Sequence, residues 1–293
     1  MHIALFGRRF NPEFFPVIQK MVTTMENHKV DFIVYDKFFD FLKGNIRFQN
    51  NTKVFENHHQ LTTSVSCMIS LGGDGTLLDT LPLIRNSGIP VLGINTGRLG
   101  FLSSVSTDEM ESSVKEILEK KYQVEQRSLL YLDSGPAKLF EAFPFALNEV
   151  TLIKRDNTTM IAISAFVNGK YLNTYWADGL MVATPTGSTG YSLSCGGPII
   201  SPDSENFIIT PIASHNLTVR PIVIKDDSLI KFRIEGRIQS HLIVMDSRTL
   251  PLEKSMDLFI KKADYKINLI NTGEKDFFTT IRNKLAWGFD KRN

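Results

Sequence analysis

The first 120 or so residues alternate between two apolar rhythms, and that alternation limits the chain to few folds. Ile3–Gly7 (IALFG), Val30–Tyr35 (VDFIVY), Val65–Leu71 (VSCMISL) and Ile89–Ile94 (IPVLGI) are short, mostly apolar runs of strand length. Between the first two, Phe14, Val17, Ile18, Met21, Val22 and Met25 recur at helical spacing and form one apolar face. Thr76–Ser87 predicts a second helix through Leu77, Leu78, Leu81 and Ile84, and Met110, Val114, Ile117 and Leu118 predict a third. Strands that alternate with helices imply a parallel sheet covered on both faces.

After about Gln123 the rhythm changes. FALNEVTLI, MIAISAFV, YLNTYWA, GLMVATP, PIVI, LIKFRI, SHLIVMD and DLFIKK are β-branched and aromatic runs separated by turn residues. Asn168-Gly169 between two of them is the strongest short hairpin signal. Helical spacing returns at Phe277, Ile281 and Leu285. The expected architecture is an α/β N-terminal domain with a parallel sheet (residues 1–122), a β-rich, sandwich-like C-terminal domain (123–272), and a terminal helix (273–293) that packs back on the first domain.

Composition narrows the partners. With 42% apolar residues in a chain of 293, there is material for real cores. A net charge of +2 gives no electrostatic case for nucleic acid. Two cysteines, Cys67 and Cys195, make neither a disulfide framework nor a zinc spacing and fit a reducing cytoplasm. The six histidines show no metal-like spacing. MHIALFGRRF has too few apolar residues, and its arginines too late, for a signal peptide. No apolar run approaches the ~18 residues of a membrane span. The expectation is a soluble, cytoplasmic protein.

The residues with chemistry begin at Ser70–Thr80, SLGGDGTLLDT. As a plain turn, its glycines permit positive φ and Asp74 or Thr76 caps the following helix. As a ligand loop, the same turn ends a parallel strand, where open α/β sheets bind ligands, and its glycines let backbone N–H groups approach phosphate. A carboxylate beside phosphate is then reasonable only if it faces a hydroxyl or a bridging cation. The turn is neither a Walker A loop nor a G-x-G-x-x-G fingerprint. Gly93–Ser103 (GINTGRLGFLS) leaves the next strand and would bring Asn95 and Thr96 to the same sheet edge.

These two loops, with Asn148–Val150 (NEV) and Asp178–Ile199 (DGLMVATPTGSTGYSLSCGGPI), occur in an order and spacing that closely resemble the NAD kinase family. GGDGT alone is shared with lipid and sphingoid-base kinases; the long glycine, serine and threonine stretch is more specific. The resemblance implies transfer of the γ-phosphate of ATP, or of polyphosphate in some members, to the 2′-hydroxyl of the adenosine ribose of NAD. It also implies Mg²⁺ or another divalent ion bridged through the ATP phosphates, a homodimer or homotetramer, and an active site between the two domains. By position, Asp74 matches the catalytic aspartate. Gly72, Gly73, Gly75 and Asn95 match nucleotide contacts, and Asn148 and Glu149 match an adenine and ribose-binding pair. Thr159, Trp176, Asp178 and Ala213 fall at further ligand positions. The loop Thr186, Gly187, Ser188, Thr189, Gly190, Tyr191, Ser192, Leu193 and Ser194 would cradle adenine and pyrophosphate. The sequence departs from the family at Gly190 and Cys195, where alanine is usual, and at Ser247-Arg248, where Gly-Gln is frequent, leaving Arg248 as a candidate phosphate contact. Trp176 and Thr159 stand where a basic residue and a histidine are common. The competing readings are a catalytically silent NAD-binding sensor and a lipid or sphingoid-base kinase.

Overall fold

A computed structural model describes residues 1–49, 52–61, 64–97, 100–155, 160–235, 241–252, 256–273 and 276–288. The chain divides into two compact units, Met1–Gln126 with Ile267–Asn293, and Arg127–Lys266.

The first unit runs β1 (His2–Gly7), α1 (Phe15–Asn27), β2 (Asp31–Tyr35), α2 (Asp36–Leu42), β3 (Lys53–Phe55), β4 (Val65–Leu71), α3 (Asp74–Leu78), α4 (Leu81–Ile84), β5 (Val91–Ile94) and α5 (Met110–Glu119). Its strands pair in parallel in the order β3-β2-β1-β4-β5. β1 and β5 are buried along nearly their whole length, as strands covered on both faces must be. One face of α1 places Ile18, Met21, Val22 and Met25 in the core with Val114 and Ile117 of α5.

The helix expected over Thr76–Ser87 is instead two short helices. Thr80 turns its hydroxyl onto the Leu77 carbonyl, and Pro82 has no N–H to continue the ladder. The chain re-nucleates with the N–H groups of Leu83 and Ile84 both bonded to Thr80. A helix that the apolar spacing does not announce, α2, follows β2 directly.

The chain then gives β6 (Gln123–Asp133), β7 (Phe145–Ala146), β8 (Glu149–Lys154), β9 (Ile161–Val167), β10 (Lys170–Ala177), β11 (Gly179–Ala183), α6 (Tyr191–Ser194), β12 (Asn206–Ile212), β13 (Ile222–Lys225), β14 (Ile230–Glu235), β15 (His241–Met245), β16 (Arg248–Leu252), β17 (Asp257–Asn271) and α7 (Phe277–Leu285). In the second unit, β13-β12-β11-β8-β15-β16 form one antiparallel sheet, and β10, β9, β14 and the start of β17 pair antiparallel in a second. Val150, Leu180, Phe207 and Ile243 from one sheet pack with Ile163, Phe232 and Ile260 from the other in a single core. Asn168 and Gly169, at φ 51° and 76°, make the tight turn between β9 and β10. The run FALNEVTLI does not form one strand: β7 stops at Ala146 and β8 starts at Glu149. The interruption at Leu147 and Asn148 has a specific cause in the second unit's site.

Candidate active site

In the first unit, the strand order reverses between β1 and β4, and the Gly72–Thr76 turn leaves β4 beside this switch point. Gly72 sits at φ 151°, and a Cβ there would collide with the Thr76 side chain, so this glycine is demanded by the turn itself. Gly73 and Gly75 are different: both are exposed, and a Cβ on either would meet open space.

Asp74 is the first residue of α3, and Gly73, without a side-chain bond, occupies the cap position. The capping role that a plain turn would give Asp74 or Thr76 is absent, because the Asp74 carboxylate points elsewhere. Its Oδ2 accepts from the Phe101 N–H at 2.9 Å, and its Oδ1 accepts from Leu102 at 3.1 Å and Ser103 at 2.9 Å. Three successive amides of the loop after β5 thus enclose one carboxylate. A Cβ on Gly100 would fall on that carboxylate, so the loop closes over it only with glycine there. Asn95, at the start of the same loop, is buried, and its Oδ1 accepts from the Gly97 N–H at 2.7 Å.

A carboxylate has about four lone-pair positions. Three are taken, and the remaining one lies on Oδ2. Asp74 is therefore a positioned acid that retains capacity for one more donor. No group of three His, Cys, Asp or Glu side chains suited to a metal ion occurs among the described residues.

In the second unit the organising acid is Asp246, which follows β15 at φ 52°. Its Oδ2 accepts from the Leu147 N–H at 2.9 Å, and its Oδ1 accepts from Asn148 at 2.8 Å and Glu149 at 3.3 Å. These bonds draw the chain out of strand geometry at Leu147 and Asn148 and thereby split the expected strand. Thr184 fixes the same corner from the other side. Its hydroxyl donates to the Leu147 carbonyl at 2.5 Å and accepts from the Gly187 N–H at 3.0 Å. Gly187 lies so close to the Asn148 backbone that a Cβ would overlap it.

Glu149 emerges from this corner buried, and its Oε2 has no hydrogen-bond partner. Burial, reinforced by the nearby Asp246 carboxyl, pushes the Glu149 carboxyl up to about 8. Burial likewise raises Asp246, against the lowering effect of its backbone N–H donors. Gly190 brings the Thr186–Ser194 loop against the Glu149–Asn148 pair: a Cβ there would stand 3.3 Å from Glu149 Oε2 and 3.8 Å from Asn148 Nδ2.

The hydroxyls of that loop divide. Ser188 Oγ accepts from the Ile200 N–H and donates to its carbonyl, and Ser192 Oγ pairs with Thr210 Oγ1 at 2.9 Å; both side chains are buried and hold the loop to its own unit. Thr186 and Gly187 are buried, Thr189 bonds back to the Thr186 carbonyl, and Leu193 is half-buried. Tyr191 and Ser194 face outward.

Trp176, Asp178 and Ala213 meet at another corner. Asp178 donates its N–H to the Ile212 carbonyl, and its carboxylate pairs with Lys154 Nζ at 2.6 Å. Trp176 is exposed, its carbonyl accepts from the His215 N–H, and Ala213 holds a left-handed φ of 46°. A non-glycine residue in that region is the kind of local strain that concentrates at functional sites. Thr159 lies outside the described residues. Arg248 is engaged as a structural group: its guanidinium donates to the Phe143 and Phe145 carbonyls and stacks over the Phe143 ring at 5.0 Å. The residue that sequence reasoning passed over is Asp246. One acid after an apolar run is an ordinary strand end, and its three donors lie about 97 to 99 positions away.

The comparisons bear on the whole chain. The model of the ATP-NAD kinase N-terminal domain matches residues 13–122, and that of the ATP-NAD kinase C-terminal domain matches 147–272. Proteins named NAD kinase from Flavobacterium psychrophilum and Cytophaga hutchinsonii are each 45% identical over the full length of both chains. The one from Bacteroides fragilis is 42% identical, again over both full lengths. The fold is that of a yeast NADH kinase solved with NADH (TM-score 0.86, 21% identity, 99% of this chain and 88% of that one). It is also that of an Archaeoglobus fulgidus NAD kinase solved with ATP (TM-score 0.74, 24% identity, 96% and 99%). Similarity of this extent, over both halves and from end to end, has one meaning: the chain belongs to the NAD kinase family.

Proposed function

We propose that the chain phosphorylates the 2′-hydroxyl of the adenosine ribose of NAD, with ATP as donor, and that Asp74 is the base. The carrying observation is the Asp74 carboxylate held by three backbone amides with one acceptor position left, on a turn whose outer glycines leave room for a ligand. In this reading the remaining lone pair of Oδ2 accepts a hydrogen bond from the ribose hydroxyl. As the ribose oxygen forms its bond to the γ-phosphorus, the bond from that phosphorus to the β,γ-bridging oxygen breaks, ADP leaves, and the hydroxyl proton passes to Asp74. Phosphoryl transfer asks mainly for positioning and charge neutralisation, and a base that cannot swing away supplies the first.

A divalent cation would neutralise charge on the triphosphate. Mg²⁺ commonly takes one or two carboxylates with phosphate oxygens and water rather than a protein cage, which agrees with a site that has a single acid and no ligand cluster among the described residues. Asn148, Glu149 and the loop through Tyr191 are assigned to the dinucleotide. Glu149 Oε2, buried and without a partner, supports this, since a ribose hydroxyl would satisfy it. Asp178 and the backbone around Ala213 are assigned to its other end. Full-length similarity to NAD kinases favours this activity over lipid phosphorylation or silent binding. A cytoplasmic homodimer or homotetramer completes the reading, supported by the free cysteines and the family resemblance.

The test is NADP formation from NAD, ATP and Mg²⁺ or Mn²⁺, with polyphosphate as a second donor. NADP is expected from native protein and lost in Asp74→Asn. A folded native protein that forms no NADP with either donor overturns the proposal.

A further inference from the structure

Two carboxyls share the corner where β8 begins, and their hydrogen bonding is unequal. Asp246, in the turn between β15 and β16, accepts from three backbone N–H groups, those of Leu147, Asn148 and Glu149. Glu149, whose own N–H is the third donor, is buried and has no hydrogen-bond partner on Oε2. Hydrogen bonds to a carboxylate stabilise its charge, while burial without a partner, beside a like charge, favours the neutral acid. The negative charge therefore belongs on Asp246 and the proton on Glu149.

The other charged and titratable groups around the pair leave this division intact. Arg248, on β16, favours the ionised form of Asp246, and its guanidinium is spent on the Phe143 and Phe145 carbonyls. Tyr191, at the start of α6, and Cys195, just past its end, both feel the Glu149 charge. Burial holds them above their ordinary 10 and 9, so neither ionises at neutral pH. Gly190 lies against Glu149 Oε2 without a side chain to block it.

We propose that Asp246 is a positioning residue that acts through Glu149: it fixes the corner and holds the proton on Glu149, so that Glu149 meets the dinucleotide as a hydrogen-bond donor. The role rests on the kinase reading above, which assigns Glu149 to the dinucleotide. A neutral carboxyl has one O–H to donate to a ribose or phosphate oxygen, whereas an ionised one opposes the pyrophosphate with like charge. Binding that needs the proton is lost as the proton leaves. With the Glu149 carboxyl at about 8, the competent fraction falls about tenfold between pH 7 and pH 9.

The experiment is calorimetric titration of the full chain with NAD across pH 6 to 9, for native protein, Asp246→Asn and Glu149→Gln. Asparagine suits the left-handed φ of 52° at this turn, so the variant removes the charge and one acceptor while keeping shape. Asp246→Ser, a smaller neutral acceptor, is the second variant. Native protein is expected to bind NAD about tenfold more weakly at pH 9 than at pH 7. Glu149→Gln, a permanent donor, should change less than twofold over that range. Both Asp246 variants release the proton at lower pH, so their affinity should already fall about threefold from pH 6 to pH 7.5, where native protein holds within twofold. Magnetic resonance of carboxyl-labelled glutamate reads the same proton without ligand, the Glu149 signal being the one lost in Glu149→Gln. Asp246 variants with the native titration midpoint and pH profile overturn the positioning role, even where they bind NAD more weakly at every pH. Native affinity that holds or rises from pH 7 to pH 9 overturns the donor role. Failure of the kinase reading has a separate signature: native protein forms no NADP, while the resonance titration still shows whether Asp246 governs the Glu149 proton.

Discussion

Ser103 donates its backbone N–H to Asp74 Oδ1 at 2.9 Å, across 29 positions of sequence. With the Phe101 and Leu102 amides it makes the GGDGT aspartate the point on which the next loop is folded. The proposed base and the loop are therefore one device. Asp74→Asn places an amide NH₂ against backbone N–H groups. A turnover loss of about 10² to 10⁴ is expected for the missing base, with about 1–3 kcal/mol of stability lost from unpaired donors. NADP assay and urea denaturation measure the two effects. Turnover near native removes Asp74 from the base role.

Gly100→Ala tests the loop from its other side. Its Cβ would overlap the Asp74 carboxylate, whereas one on Gly97 would meet Asn95 Oδ1 at an ordinary 3.7 Å. Overpacking of this kind costs about 1–3 kcal/mol. Gly100→Ala should lose at least tenfold in turnover and Gly97→Ala much less; similar rates for the two would show that the loop does not set Asp74.

Gly75→Ala separates a structural glycine from a ligand-facing one. Position 75 lies inside α3 with open space around it, so alanine should keep or raise stability by about 0.5–1 kcal/mol. If nucleotide approaches this turn, the KM for ATP rises all the same. A variant that is both stable and kinetically native assigns the turn to folding alone.

Two glycines of one loop should behave in opposite ways. Gly187→Ala drives a methyl into the Asn148 backbone, while Gly190→Ala meets its nearest atom, the Gly187 carbonyl oxygen, at 3.2 Å. Denaturant midpoints should show a loss of about 3 kcal/mol or more for the first and about 1 kcal/mol or less for the second.

Glu149 should make stability fall as pH rises. Its carboxyl is raised from 4.5 to about 8, so between these values the folded protein binds a proton that the unfolded chain has released. Stability is then highest below pH 4.5 as far as this group is concerned, and its penalty is complete above pH 8. Glu149→Gln should flatten this dependence and gain on the order of 3 kcal/mol over native at pH 8.5. Denaturation of both proteins at pH 5.5 and 8.5 measures it, and parallel pH profiles would refute it.

Local pattern carried much of the architecture. The apolar runs that became β1 and β5 are unbroken because both sheet faces are covered there, whereas β2 alternates buried and half-buried residues. Asn168-Gly169 announced the β9–β10 hairpin because few other residues accept positive φ. The one long helix that failed did so at Thr80 and Pro82, whose hydrogen bonding outweighed the apolar spacing of Leu77, Leu81 and Ile84.

The sequence by itself determined the strand and helix periods, the glycines that the turns require, and Asp74 as an unusual acid in glycine-rich company; Glu149 stood out only through the resemblance to a known family. Tertiary structure alone decided which groups those acids face. Asp74 met amides 27 to 29 residues onward, Asp246 reached back to Leu147, Asn148 and Glu149, and Ser188 and Ser192 turned inward to Ile200 and Thr210. The reason is physical: periodicity records which face of an element is buried, but a polar side chain is fixed by donors and acceptors that only chain folding brings within 3 Å.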